Sequence, residues 1–121
     1  MATDGEHYLI DIPDLSESPY SIVPIVLNTK TYYLEYKWNI RSESTFLSIY
    51  ILNNNTKVYL IKNIGLVLYN DLTKHIYDKD NWVGELYLIP KQLTNNYVYN
   101  QQNISTDYQL SYVPVWQTEH P

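Results

Sequence analysis

The stretch that most constrains the fold is residues 30–41, KTYYLEYKWNIR. Large apolar side chains occupy alternate positions in it, with mostly polar residues between them. Such a period of two predicts a β-strand, because successive side chains of a strand point to opposite faces of its sheet. The apolar face is either buried in a core or forms an aromatic platform that binds a ligand. The alternating residues are Tyr32, Leu34, Tyr36, Trp38 and Ile40.

Other stretches alternate in the same way and are separated by turn-forming residues. Pro24 restricts the first of them to a sheet edge or a bulge, because proline cannot donate to the ladder. Asn53, Asn54 and Asn55 predict a hairpin turn, and no segment shows a sustained helical period. We therefore predict an all-β fold, a single small antiparallel sandwich or partly closed barrel of about seven short strands. The expected strands cover residues 20–27, 30–40, 46–52, 57–63, 66–69, 84–89 and 108–112.

Charge is unevenly distributed along the chain. The formal net charge of −5 argues against a nucleic-acid partner, because binding to phosphates normally requires a basic face. Residues 1–19 hold five acidic side chains and no lysine or arginine. We expect an acidic N-terminal arm over residues 1–19, one β domain over 20–115 and a C-terminal tail over 116–121.

Signals for export and membrane insertion are weak. The N-terminal stretch MATDGEHYLIDIPD is acidic where a secretory signal is basic. No apolar run approaches the roughly 20 residues that span a bilayer. The chain has no cysteine, which excludes disulfides and thiolate metal sites. We predict a protein made in the cytoplasm that has no membrane partner.

Residues suited to catalysis or metal binding are few. His75 is the sole histidine away from the termini, so a paired-histidine metal site or a catalytic triad would depend on it alone or would have to recruit a residue of a terminal tail. The acidic pair Asp78 and Asp80 resembles the start of a calcium loop, but Trp82 and Val83 occupy positions that require oxygen ligands or glycine. The remaining carboxylates are more simply explained as a solvated face. We predict no enzymatic activity, no bound metal and no cofactor. Those remaining carboxylates include Glu35, Glu43, Glu85 and Asp107.

Tyrosines on the opposite strand faces are expected to expose part of their rings. Exposed aromatic rings can stack on sugars, which would make the chain a small carbohydrate-binding module that uses tyrosine and tryptophan rings. They are also enriched at protein interfaces, and we favour that interpretation. The tyrosines concerned are Tyr33, Tyr50, Tyr59, Tyr69 and Tyr87.

An ordered set of short motifs covers most of residues 20–114. Its central motif is Tyr32-x-Leu34-x-Tyr36-x-Trp38-Asn39-x-Arg41. The others are Val23-Pro24-Ile25, Phe46-Leu47-x-Ile49, Gly84-Glu85-Leu86 and Leu110-Ser111-Tyr112-Val113-Pro114. In this order the set resembles the baseplate plug proteins of contractile-tailed phages, and the acidic arm and an insertion near residues 95–103 depart from the pattern of that family.

The resemblance implies a non-enzymatic structural subunit of the virion tail baseplate, a plug that packs near the central hub. It implies other baseplate, hub or tail-tube proteins as partners and several copies in a symmetric assembly, and it carries over no catalytic residue. With this function, the alternating residues of 30–41 are expected to be the inner face of a central strand. Asn39 and Arg41 are expected to fix the turn that follows through side-chain hydrogen bonds.

Two polar segments are expected to become ordered only against neighbouring subunits. Residues 1–19 and the insertion around 95–103 lack the apolar period needed to bury themselves, and ordering a residue costs about 1–2 kcal/mol of backbone entropy. The apolar residues within them are the predicted partner-binding residues. They are Tyr8, Leu9, Ile10, Ile12, Tyr97 and Tyr99.

Overall fold

The computed structural model describes residues 8–27, 29–76, 78, 80–92 and 98–114. These residues contain seven strands in two antiparallel sheets that do not close into a barrel, and no helix. The predicted all-β sandwich is therefore confirmed. The strands are β1 (Tyr8–Asp11), β2 (Tyr20–Leu27), β3 (Lys30–Asn39), β4 (Ser44–Asn53), β5 (Thr56–Gly65), β6 (Glu85–Pro90) and β7 (Tyr108–Val113).

The four-stranded sheet has the order β2-β3-β4-β5. Its strands follow one another as hairpins, and the turn between β4 and β5 consists of Asn54 and Asn55 at φ 53° and 65°. Asparagine tolerates this left-handed conformation, which matches the twist of a two-residue hairpin. Pro24 lies on β2, an edge strand, as predicted. The turn after β3 is held by the Asn39 side chain, whose Oδ1 accepts from the backbone N–H of Arg41 at 2.9 Å.

The three-stranded sheet has the order β1-β7-β6. β1 pairs with β7 from Tyr8 opposite Tyr112 to Asp11 opposite Gln109, so part of the segment expected as an arm is a strand of this sheet. The prediction of a separate strand over residues 66–69 is wrong. There the chain makes a single bridge, between Leu68 and Leu88, and runs along β6.

The core lies between the two sheets. The inner face of the four-stranded sheet contributes Leu34, Tyr36 and Leu47, while the other sheet contributes Leu88 and Leu110, all fully buried. Trp82, from the loop before β6, packs its ring edge-on against Tyr32 and Tyr112, with ring centroids 5.1 and 5.6 Å apart. Since Tyr32 lies on β3 and Tyr112 on β7, Trp82 joins the sheets.

The alternation in residues 30–41 holds only for part of its length. Tyr32, Leu34 and Tyr36 are buried, as predicted. Trp38 is half-buried, and Ile40 is 80% exposed because β3 ends at Asn39 and Ile40 lies in the turn. The prediction that Ile40 belongs to the inner face of the strand is therefore wrong.

Candidate protein interface

The predicted partner-binding residues of the N-terminal segment divide into two groups. Tyr8 and Leu9 are 42% and 61% exposed at the start of β1, the outer strand of its sheet. Ile10 and Ile12 are buried in this chain's own core and offer little surface to a partner. In this segment, Tyr8 and Leu9 therefore remain the candidates for contact with a partner. A domain boundary at residue 20 stays a prediction, although β1 pairs with β7 across it.

The predicted partner-binding residues of the insertion are Tyr97 and Tyr99. Tyr97 lies outside the described residues. The Tyr99 hydroxyl accepts from the Thr45 backbone N–H at 3.2 Å and donates to the Leu66 carbonyl at 2.8 Å. Its ring meets Tyr108 edge-on. Tyr99 thus attaches its own loop to the ends of β4 and β5, and a partner role for it stays a prediction.

The outer face of the four-stranded sheet, which we call the aromatic face, is the best-formed candidate site. Four tyrosines from four adjacent strands surround one acidic side chain on it. The strand register creates this cluster, because Tyr33 lies directly opposite Tyr50, and Tyr50 opposite Tyr59. Rings on directly paired positions are close enough to touch. The aromatic face consists of Tyr20, Ile22, Val26, Tyr33, Glu35, Lys37, Tyr50, Leu52, Lys57, Tyr59 and Lys62.

Glu35 is the centre of the aromatic face and is 5% exposed. Its carboxylate accepts a hydrogen bond from the Tyr20 hydroxyl and another, at 3.0 Å, from the Tyr59 hydroxyl. Burial raises the pKa of this carboxyl, but the two hydrogen bonds and the ammonium groups of Lys37 and Lys57 outweigh burial and hold the pKa below its ordinary value. The hydrogen bond between Tyr20 and Glu35 also raises the pKa of the Tyr20 hydroxyl to about 12. At neutral pH, a charged Glu35 therefore fixes two neutral tyrosines.

Lysines lie over the rings of the aromatic face. The Lys57 Nζ is 4.8 Å from the centroid of the Tyr50 ring, and the Lys62 Nζ is 4.6 Å from that of Tyr59. Both distances are within the range of a cation–π interaction. Tyr33 and Tyr50 stack on each other at 5.1 Å and 9° between planes. The Tyr50 ring is thus covered by Tyr33 and Lys57, and Lys62 lies over the Tyr59 ring.

Part of this site was predicted from the sequence. Tyr33, Tyr50 and Tyr59 belong to it, whereas Tyr69 and Tyr87 lie elsewhere, and Tyr50 is only 5% exposed. Tyr87 lies on β6 and donates to its neighbour Glu85. The prediction missed Tyr20 and the role of Glu35. Tyr20 occupies an alternate position of β2 beside Ile22, and that spacing could have indicated it.

Charge separates the two halves of the molecule. Residues 20–65, which form the four-stranded sheet, hold five basic and two acidic side chains. The rest of the chain holds three basic and eleven acidic ones. The segment that forms the four-stranded sheet is thus net positive in a protein that is acidic as a whole.

Among the described residues, no three histidine or carboxylate side chains lie together as metal ligands would. No helix in the described ranges is long and apolar enough to cross a membrane.

The lowered pKa of Glu35 predicts that the stability of the fold depends on pH. A carboxyl whose folded-state pKa is lowered stabilises the fold above its unfolded pKa of about 4.3, and this contribution is lost as the pH falls through the folded pKa. At pH 7, Glu35→Gln should lower the free energy of unfolding by about 1–3 kcal/mol, because charge-assisted hydrogen bonds are lost. In urea titrations at pH 7 and pH 3, we expect this difference to shrink at the lower pH. An equal difference at both pH values would show that the Glu35 charge contributes nothing.

Comparison with known proteins identifies the family. The model of a family described as cyanophage baseplate Pam3 plug gp18 matches residues 8–115, which include all seven strands. No curated protein matches the chain. The match confirms the resemblance found in the sequence motifs: the chain belongs to the cyanophage baseplate Pam3 plug gp18 family.

Proposed function

We propose that this protein is a non-enzymatic plug of a contractile phage tail, which packs near the central hub of the baseplate through contacts with other proteins. The observation that carries the proposal is the family match over residues 8–115. Membership of this family makes the chain a structural baseplate subunit. The contractile type of tail, the position near the hub and the absence of catalysis are our inferences from that membership. We expect the protein to be made in the host cytoplasm and then built into the virion.

Two surfaces support a role in protein contacts. Tyr8 and Leu9 expose apolar surface at the outer edge of the three-stranded sheet. The aromatic face exposes Tyr20 and Val26, at 45% and 67%, beside fixed rings and lysines. Rigid tyrosines are favoured at interfaces because little side-chain entropy is lost when they bind. We expect other baseplate, hub or tail-tube proteins at these surfaces, and neither nucleic acid nor a membrane.

The arrangement of the rings argues against the carbohydrate-binding alternative. A sugar ring needs an open aromatic face on which to stack. Tyr33 covers one face of Tyr50, and Lys57 lies over the ring of Tyr50 as well. Tyr59 is tilted by 59° against Tyr50, so the rings do not form a flat platform.

The location of the protein in the virion tests the proposed function. Particles are purified, their proteins are identified by mass spectrometry, and an antibody against this chain is imaged on them by electron microscopy. We expect the chain in the particles and the label at the baseplate end of the tail. A chain that stays in the soluble fraction of the lysate, or a label on the head, would contradict the proposal.

A further inference from the structure

The aromatic face is arranged before any partner binds. Glu35 fixes the Tyr20 and Tyr59 rings through their hydroxyls, and Lys57 and Lys62 project over neighbouring rings. A cleft of about 450 Å³ opens at one end of the face, lined in part by Tyr33 and Leu52. The face therefore combines apolar surface, a cleft and positive charge, which fits a partner with exposed apolar side chains next to carboxylates.

The N-terminal segment of the same chain has this chemistry. We call residues 8–17 the acidic edge. It exposes Tyr8 and Leu9, and it exposes the carboxylates of Asp11, Asp14 and Glu17. The Asp11 side chain is 89% exposed, although one lysine approaches it to 3.9 Å. Hydrogen bonds from Ser16 lower the pKa of Asp14 and hold it in the charged form.

The acidic edge is held away from the aromatic face of its own chain. β1 pairs with β7 in the three-stranded sheet, and Ile10, Ile12 and Leu15 anchor the segment in the core. The aromatic face is the outer side of the other sheet and points away from that core. The segment ends at Glu17, three residues before Tyr20 on β2, whereas Lys57 and Lys62 lie on β5 at the opposite edge of that sheet. Contact between the acidic edge and these lysines thus requires a second molecule.

We infer that copies of this chain bind one another head to tail, with the acidic edge of one copy on the aromatic face of the next. Tyr8 or Leu9 enters the cleft, and Asp14 and Glu17 meet Lys57 and Lys62. The contact joins two different surfaces, so it propagates from copy to copy and closes into a ring when the rotation allows. The inference rests on the proposed function in one respect, because a symmetric baseplate brings several copies together.

Charge reversal tests the contact in the full-length chain. One variant, K57E/K62E, makes the aromatic face negative; the other, D14K/E17K, makes the acidic edge positive. Sedimentation velocity should show oligomers of the parent at about 50 mM NaCl that dissociate at about 500 mM, because salt screens exposed charges. Each variant alone should associate roughly 100-fold more weakly, since like charges then meet across the interface. An equal mixture of the two should regain association, because each surface then faces one of opposite sign.

The matched control is R41E/K74E, which makes the same change of net charge as K57E/K62E at exposed positions outside the aromatic face. It should associate like the parent, and near-ultraviolet circular dichroism should show that every variant is folded. A parent that stays monomeric over a wide concentration range, or a mixture of variants that stays monomeric, would overturn the inference. Monomers in solution together with the chain in virions would leave the proposed function standing. Head-to-tail oligomers of a chain that is absent from virions would support the inference and contradict the proposed function.

Discussion

Trp82→Ala is expected to lower the free energy of unfolding by about 3–5 kcal/mol, the range measured for truncation of large buried aromatics. Trp82 is 1% exposed, and its ring contacts Tyr32 of one sheet and Tyr112 of the other. Its indole N–H also donates to the Gly84 carbonyl at 3.1 Å. Alanine would leave a cavity between the sheets, which only the approach of the sheets could fill. Such a loss is a large share of the about 5–15 kcal/mol that stabilises a typical domain.

Urea titration followed by circular dichroism measures this loss. Trp38→Ala is the matched control, because it removes the same side chain from a half-buried position on β3 and should cost clearly less. Trp82→Phe should give an intermediate loss, and it replaces the alanine variant if that variant does not fold. Equal losses for the two alanine variants would show that Trp82 does not hold the sheets together.

The contrast between these tryptophans shows what periodicity predicts. Trp38 continues an alternating run, so the sequence indicates a core position, but the strand ends one residue later and the ring lies at the margin of the sheet. Trp82 follows four polar residues in an irregular loop, where no period indicates burial. Its burial results from packing between strands that are distant in sequence. A pattern within one strand contains no information about such contacts.

β1 was missed for a related reason. Tyr8, Ile10 and Ile12 alternate, but the run is short and lies among acidic residues. The acidic composition therefore led to the prediction of an arm, and the alternation was not interpreted as a strand. Pairing with β7 supplies the backbone hydrogen bonds, and the core buries Ile10 and Ile12. Local turns were predicted well, because the left-handed conformations of Asn54 and Asn55 depend on those residues themselves.

For the candidate site, the sequence predicts which side chains face outward but not how they cluster. Outward tyrosines follow from strand alternation, whereas their cluster depends on the register between strands. Glu35 looked like a solvated carboxylate because it occupies an outward position of β3. Tyr20 on β2 and Tyr59 on β5 cover it, and both are far from it along the chain. Predicting the buried carboxylate would have required the sheet order.

Gly84→Ala is the second substitution with a large expected effect. Gly84 has φ 116°, a conformation that residues with a Cβ rarely adopt. A Cβ built there would lie 2.6 Å from the Tyr112 ring, whose hydroxyl donates to the Val83 carbonyl. Backbone strain and overpacking each cost about 1–3 kcal/mol, so we expect a loss of about 2–6 kcal/mol.

Gly65→Ala is the control for this substitution, because each variant replaces a glycine by alanine and so adds one methyl group. The added Cβ at Gly65 would lie 3.6 Å from the Phe46 ring, an ordinary contact, so the change should be below about 1 kcal/mol. Thermal and urea unfolding of the two variants give the comparison. Since Tyr112 also contacts Trp82, a displaced Tyr112 ring should disturb the joint between the sheets and change the near-ultraviolet dichroism of Gly84→Ala alone. Equal stabilities of the two variants would mean that the chain tolerates a side chain beside Tyr112, and the tight approach of β7 to the loop before β6 would then be dispensable.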